Sequence, residues 1–147
     1  MRNIFSWVSV FLFMLLTSCS VEPDQINYGN DQCDFCKMGV VDKSHSAQYV
    51  TQKGKQFKFD AVECMIRKIS DPAVKESELA FILVADYNNP GSMVDAKTAT
   101  FLVSKAIKSP MGAYLSAFSD NAVAVKTQEE VGGKVYNWEE IKKYIAK

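Results

Sequence analysis

The sequence has little of what most catalytic and nucleic-acid-binding proteins need. Its 147 residues include a single histidine, and 17 basic residues are balanced by 17 acidic ones. A chain without excess positive charge lacks the electrostatic footprint of a nucleic-acid-binding protein, so we expect no nucleic acid as a partner. No Ser–His–Asp grouping, glycine-rich phosphate loop or carboxylate pair stands out in the sequence. We therefore predict that the protein is not an enzyme.

Long apolar runs are also scarce, and the one at the N terminus indicates export. Ile4 to Leu16 is apolar and follows Arg2, as in a signal peptide, and it is shorter than the roughly 20 residues that span a membrane. The next residues, Thr17 to Cys19, complete a segment that resembles a bacterial lipobox, whose cysteine is acylated before cleavage. The alternative is an ordinary cleaved signal peptide with a chance cysteine. We predict a lipoprotein signal peptide over residues 1–18 and lipidation at Cys19, which would hold the protein to membrane lipid.

Cleavage would leave one domain on a short tether. Residues 19–31 are polar and are predicted to be a lipidated tether, whereas residues 32–147 are numerous enough for a hydrophobic core. Ser20, rather than aspartate, follows the lipidated cysteine, and by analogy with Gram-negative sorting this favours the outer membrane. We expect a periplasm-facing protein anchored to that membrane.

The remaining cysteines are three: Cys33, Cys36 and Cys64. Disulfides are the default state of cysteines outside the inner membrane. Three thiols cannot all pair within one chain, so a purely structural-disulfide interpretation leaves one of them free. A metal site does not meet that difficulty.

The most informative motif is the segment from Cys33 to Met38, with the sequence CDFCKM. Two thiolates separated by two residues can converge on one ion, and the thioether of Met38 is a third soft donor close by. Thiolates and thioethers select Cu(I). A thiol–disulfide oxidoreductase using Cys33 and Cys36 is an alternative, but it needs a strand before the motif and a helix after it. Here a tether precedes the motif, and Met38–Val41 is predicted to be a strand.

Three more residues are candidates for this site, and each has a structural alternative. Cys64 lies near the start of a predicted helix, where a thiolate is favoured, although buried free cysteine is often only a small hydrophobic residue. Met111 lies in a Pro–Met–Gly turn and could instead cover an apolar edge. His45 is expected to be exposed in a polar loop, yet with the three cysteines it would form a Cys₃His zinc set. A structural zinc-binding interaction module is therefore the rival metal hypothesis.

The pattern of apolar residues predicts an α+β fold. A helix is predicted from an N-cap at Asp60 to about Ser70, and another from Trp138 to Ala146. A short helix is predicted over Gly112–Phe118, and hairpin turns at Lys53–Lys55 and Gly132–Gly133. Strands are predicted at Ala47–Val50, Gln56–Phe59, Leu79–Ala85, Val94–Val103 and Ala122–Val125.

An internal similarity suggests duplication. Gly54–Val62 aligns with Gly133–Ile141, each with the pattern turn, aromatic strand, acidic residue and helix. Met–Gly pairs at Met38 and Met111 precede the two copies, which suggests that these methionines occupy related places. We predict two related ββαβ-type units, about residues 32–90 and 91–147, packed as one compact domain. The alternative is that hairpin-to-helix junctions simply look alike.

The order of these motifs resembles the NosL family. The shared pattern is a lipobox, a tether, Cys-x-x-Cys-x-Met-Gly, Gly-Lys-x-Phe-x-Phe-Asp with Cys-Met in the next helix, and Met-Gly-x-x-Leu-x-Ala-Phe over Met111–Phe118. The resemblance implies two ββαβ units and a chaperone that delivers Cu(I) to nitrous oxide reductase through a membrane ABC-type maturation complex. It implies ligation by Cys33, Cys36, Met38 and Met111. Many members have glycine where this chain has Lys37, a cation that should favour thiolates.

Overall fold

The structure is a computed structural model that describes residues 20–147, so the predicted signal peptide and Cys19 lie outside the described residues. Among the described residues, no helix is both long enough and apolar enough to cross a membrane.

The first half of the chain forms a four-stranded antiparallel sheet. Its strands are β1 (Ala47–Thr51), β2 (Gln56–Phe59), β3 (Leu79–Ala85) and β4 (Met93–Asp95), in the spatial order β2-β1-β3-β4. Helix α1 (Val62–Ile69) and a 3₁₀ turn (Glu76–Glu78) lie between β2 and β3. Six of the eight residues of α1 are buried, so this helix is the inner layer against the sheet.

The second half forms a three-stranded antiparallel sheet. Its strands are β5 (Thr100–Val103), β6 (Leu115–Phe118) and β7 (Lys134–Tyr136), in the order β6-β5-β7. Helix α2 (Asn121–Val131) connects β6 to β7, and helix α3 (Trp138–Ile145) follows β7.

The two halves have the same topology. In each, the first strand is central, the second pairs on one side, and the third returns after a helix to pair on the other side. This confirms the predicted α+β fold of two related ββαβ-type units. Strand β4 extends the first sheet, so that sheet continues beyond residue 90, where the sequence pattern placed the end of the first unit.

The sequence alignment that suggested this duplication is nevertheless wrong in register. Gly54 lies in the β1–β2 hairpin, whereas Gly133 lies between α2 and β7, so the two similar segments are not topological equivalents. By topology β2 corresponds to β6, and α1 to α2. Met38 precedes β1 while Met111 lies between β5 and β6, so these methionines are not at related places. The resemblance of strand-to-helix junctions explains the sequence match.

Several predicted elements of the second half are also wrong. Gly112–Phe118 contains strand β6 rather than a helix, and Ala122–Val125 belongs to helix α2 rather than to a strand. Short apolar runs cannot be assigned from periodicity alone. The Asp120 side chain accepts a hydrogen bond from the amide of Ala122 at 2.7 Å, a cap that starts α2. The glycines at 132 and 133 therefore join a helix to a strand and do not form a hairpin.

Three further predictions need correction. Val94–Val103 divides between β4 of one sheet and β5 of the other. Met38–Val41 is not a strand, since only Gly39 makes a single bridge, to Gln32. Asp60 does not cap α1, whose N-cap is Ala61 without any side-chain hydrogen bond.

The larger of two buried hydrophobic clusters in the described residues is shared by both sheets. Tyr49 and Phe59 of the first sheet and Phe101 and Trp138 of the second half belong to the same buried cluster. Where the sheets meet, the amide of Tyr87 donates to the carbonyl of Ala117 at 2.8 Å. Burial of this continuous apolar surface is the main stabilising term of the fold.

The predicted tether lies against the first sheet over much of its length. Ile26 and Tyr28 pack on the core, and the Lys58 ammonium binds the carbonyl of Gln25 at 2.9 Å and the carboxylate of Asp31 at 2.7 Å. Side chains of β1 and β2 also bind the carbonyls of residues 22 and 24. This packing leads the chain directly into the loop that carries Cys33.

Candidate metal centre

The loop from Cys33 to Met38 closes on itself through the backbone. The amide of Cys33 donates to the carbonyl of Met38 at 2.7 Å, and the amide of Lys37 donates to the carbonyl of Cys33 at 3.0 Å. Lys37 adopts φ = 66°, in the left-handed region that favours glycine. This turn places the sulfurs of Cys33 and Cys36 on the same side of the loop.

Strand β2 holds the loop in place. The amide of Asp34 donates to the carbonyl of Lys58 at 2.8 Å, and the amide of Lys58 donates back to the Asp34 carboxylate at 2.9 Å. Because β2 runs on through Asp60 into α1, the loop is fixed beside the start of that helix, which carries Cys64.

Four side chains meet at this point. One ligand atom from each of Cys33, Cys36, Asp60 and Cys64 lies within 4.8 Å of all the others. Cys33 and Cys64 are fully buried and Asp60 is 2% exposed, whereas Cys36 is only partly buried. Cys36 donates through its thiol to the Asp60 carboxylate at 3.5 Å. The cluster is therefore closed on the protein side and reaches solvent through Cys36.

Hydrogen bonds make the three thiols unequal. Donation from the Cys64 thiol, with help from the amides of Cys36 and Asp60, lowers the pKa of Cys33 to about 6 against the opposing effect of burial. Donating that proton to Cys33, together with burial, raises the pKa of Cys64. Burial also raises the pKa of Cys36, although the amide of Met38 opposes it. Near neutral pH the cluster thus holds one thiolate and two thiols.

The chemistry of these donors fits a single soft or borderline metal ion. Sulfurs bound to one tetrahedral ion at about 2.3 Å lie roughly 3.8 Å apart, within the spacing seen here. Three sulfurs and one carboxylate oxygen are therefore close enough together to hold one ion.

The sequence had placed Asp60 only as a helix cap, and its position in the cluster was missed. Asp60 lies just before the N-cap of α1 and only four residues before Cys64, so a carboxylate and a thiol stand close together in the sequence at the β2–α1 junction. That spacing was the available signal. Cys64, the less certain of the sequence-derived candidates, lies beside Cys33 and Cys36.

The two candidate methionines differ in their surroundings. Met38 is 55% exposed in the same loop as Cys33 and Cys36. Met111 is half-buried in the turn between β5 and β6 and packs against the core. Ligation by either thioether stays a prediction.

His45 is not the exposed loop residue expected from the sequence, since it is 4% exposed. Its Nδ1 lies 3.0 Å from the Asp42 carboxylate and its Nε2 lies 3.2 Å from Ser116 Oγ. A Ser–His–Asp grouping therefore does exist, contrary to expectation, but Ser116 is only 1% exposed and is closed to substrates. The grouping links the segment before β1 to strand β6 of the second sheet. His45 is not part of the cysteine cluster, in which the fourth donor is Asp60.

The chain is similar to a solved structure and matches the model of one protein family. The crystal structure of the copper chaperone NosL from Shewanella denitrificans is similar to this chain, with a TM-score of 0.71 and 21% sequence identity over 82% of this chain and 96% of that one. This likeness establishes a shared fold. A search of curated proteins gave no match. The family model for NosL matches residues 25–146. Since that match spans nearly all of the described residues, the chain belongs to the NosL family.

Proposed function

We propose that the protein is a copper chaperone that carries Cu(I). The observation that supports this most directly is the group of three cysteine sulfurs within 4.8 Å of one another, two of them on fully buried residues and the third on the partly exposed Cys36. Thiolates select Cu(I), which accepts two or three ligands in loose geometry. The family to which the chain belongs, and the named function of the similar Shewanella protein, support copper as the cargo.

The inequality of the thiols suits loading and release. Cys33 supplies a thiolate before the ion arrives, and the more exposed Cys36 offers the second sulfur after losing its proton. Met38, exposed on the same loop, and Met111 are the thioethers proposed to complete the site, with Cys64 as a further donor. A partner would take the ion by replacing one sulfur at a time, starting at the exposed edge. This is binding and transfer rather than catalysis.

The location and client follow from the sequence pattern and the family. The lipobox supports a lipid anchor at Cys19. The next residue, Ser20, supports sorting to the outer membrane, with the protein facing the periplasm. Nitrous oxide reductase, reached through an ABC-type maturation complex, is the proposed client because the NosL family is associated with that enzyme.

Asp60 gives the zinc alternative a specific basis. With three cysteines it forms a four-donor set, and zinc accepts carboxylate oxygen where Cu(I) prefers sulfur. A structural zinc module would bind Zn(II) through this set, with no part for the methionines.

A metal competition separates these hypotheses. The reduced protein, purified in detergent with its own N terminus and kept under an inert atmosphere, is titrated with Cu(I) against a colorimetric Cu(I) chelator while Zn(II) is present. We expect one Cu(I) to be retained, Cys33→Ser and Cys36→Ser to lose it, and Met38→Leu to weaken it. Met93→Leu, which changes a methionine on β4, is the matched control and should leave binding unchanged.

Each other outcome points elsewhere. Displacement of copper by Zn(II) supports the zinc module. Failure to hold either metal, together with turnover of a disulfide substrate by Cys33 and Cys36, supports the oxidoreductase. Retention of Cu(I) by both single cysteine variants contradicts the ligand assignment.

A further inference from the structure

Helix α1 contains a buried carboxylate that the four-donor cluster does not use. Glu63 is completely buried, and its Oε1 accepts hydrogen bonds from Ser109 Oγ at 2.6 Å and from the amide of Ala113 at 3.3 Å. Its Oε2 is buried without a hydrogen-bond partner. A half-satisfied buried carboxylate is costly, so a residue of this kind calls for an explanation.

The two groups that bind Glu63 stand on either side of Met111, each two residues away. The turn between them is stiff: Pro110 has a fixed φ, and the amide of Gly112 donates to the carbonyl of Ser109 at 3.1 Å. A stiff turn still needs to be held in position relative to the rest of the protein. Both hydrogen bonds from Ser109 and Ala113 to α1 end on the same carboxylate oxygen.

Glu63 also adjoins the metal cluster in sequence. It lies in the first turn of α1, one residue before Cys64 and three after Asp60. The segment at the start of α1 therefore carries two cluster residues, Asp60 and Cys64. Through Glu63 it also accepts hydrogen bonds from the turn of Met111, which belongs to the other half of the molecule.

We propose that Glu63 is a positioning residue for the metal site, which fixes the Met111 turn against helix α1 so that the thioether can reach the ion bound by the cysteines. This rests on the proposed function, in which Met111 is a ligand. Groups that orient metal ligands through hydrogen bonds typically change metal affinity by about 10- to 100-fold when removed. The proposal predicts a loss of that size that acts only through Met111.

The test is a double-mutant cycle on Cu(I) affinity, measured against a chelator with the protein purified in detergent with its own N terminus. Glu63→Leu fills the same space without a carboxylate, and Ser109→Ala removes one hydrogen bond with little change in volume. We expect Glu63→Leu to lower affinity about as far as Met111→Leu, and the double variant to be no weaker than either. Ser109→Ala should lower Cu(I) affinity less than Glu63→Leu does. Glu63→Gln keeps a hydrogen-bond acceptor, so it should retain most of the Cu(I) affinity of the unchanged protein.

Asp86 provides a matched control. This buried carboxylate also accepts a hydrogen bond from a serine of the other half, Ser119 Oγ, at 2.7 Å. Asp86 directly follows β3 and Ser119 directly follows β6. Asp86→Ala should lower thermal stability and leave Cu(I) affinity unchanged. X-ray absorption at the copper edge should show loss of the same sulfur neighbour in Glu63→Leu and Met111→Leu.

The outcomes distinguish the inference from the proposed function. If Met111→Leu lowers affinity while Glu63→Leu and Ser109→Ala do not, Glu63 has no positioning role and the chaperone proposal stands. If Glu63→Leu lowers Cu(I) affinity equally in the Met111 and the Met111→Leu backgrounds, Glu63 acts on the fold alone. That outcome also overturns the inference. If Met111→Leu has no effect, the ligand assignment itself fails.

Discussion

The thiol of Cys33 is the most acidic of the three thiols in the cluster. Its pKa is about 6 in the folded protein, against an ordinary value of 9.0, because the Cys64 thiol donates to it. We expect the thiolate ultraviolet absorbance of the reduced, metal-free protein to show its first step near pH 6. Cys33→Ser should remove that step, and Cys64→Ala should move it to higher pH. An unchanged midpoint in Cys64→Ala would contradict the assignment of the donor.

The same shift has a consequence for stability. A thiol with a lowered pKa stabilises the folded state fully above pH 9, where it is ionised even when unfolded, and this contribution falls away as pH drops through 6. The free energy of unfolding of the metal-free protein should therefore rise between about pH 6 and 9, and less steeply in Cys33→Ser. Urea titrations at several pH values measure this slope.

Lys37 has a left-handed backbone angle, φ = 66°, which favours glycine at this position. The resemblance to NosL proteins predicts glycine here in many members, and this backbone angle would account for it. The Lys37 ammonium donates to the carbonyl of Asp34 at 3.1 Å, so it stabilises the loop locally. The position is therefore shaped by backbone conformation as well as by charge.

Replacing Lys37 with glycine should stabilise the protein. Relief of left-handed strain is worth about 1–2 kcal/mol, and the greater freedom of glycine in the unfolded chain offsets part of it. We expect Lys37→Gly to raise the free energy of unfolding by up to about 1 kcal/mol, measured by urea denaturation. Lys37→Ala keeps the strain and removes the charge, so it should show no such gain. Equal stability of the two variants would mean that the backbone angle is not the cause.

At the scale of secondary-structure elements, the sequence predicted the first half well because its signals agree with one another. The alternation in Gln56–Phe59, the turn around Gly54 and the helical spacing of Val62, Ile66 and Ile69 all correspond to observed elements. The second half carries weaker signals. Helix α2 buries only Ala124 and so has no apolar stripe, while β6 is buried on both faces and shows no alternation.

The candidate metal site shows the same division between local and tertiary information. The Cys-x-x-Cys motif is a local pattern, and its two sulfurs are together as predicted from their spacing. The roles of Asp60 and Glu63 depend on the direction in which the start of α1 faces. The role of His45 depends on its contact with Ser116 of β6 in the second sheet. Such contacts join residues far apart in sequence, so periodicity and composition carry little information about them.

At the scale of the whole molecule, the position of the cluster bears on whether metal is needed for folding. Cys33 and Cys64 belong to a core that also joins both sheets through large side chains such as Tyr49, Phe101 and Trp138, and Cys36 packs against it. Outside the core, the Lys142 ammonium binds the Glu76 carboxylate at 2.7 Å and ties α3 to the 3₁₀ turn of the first half. Small metal-dependent domains lack a core of this kind and are unfolded without their ion.

We therefore expect the metal-free protein to remain folded. Removal of metal with a chelator under reducing conditions should leave the near-ultraviolet circular dichroism and a single cooperative unfolding transition in place. Adding Cu(I) should then raise the free energy of unfolding by mass action, by about 2.7 kcal/mol when free Cu(I) is 100 times its dissociation constant, and the unfolding temperature should rise with it. Cys33→Ser should abolish that rise without losing the transition. Loss of the near-ultraviolet signal on chelation would mean that the fold is stabilised mainly by the ion. That behaviour is expected of a structural zinc module, whereas a metal carrier has to stay folded after it releases its ion.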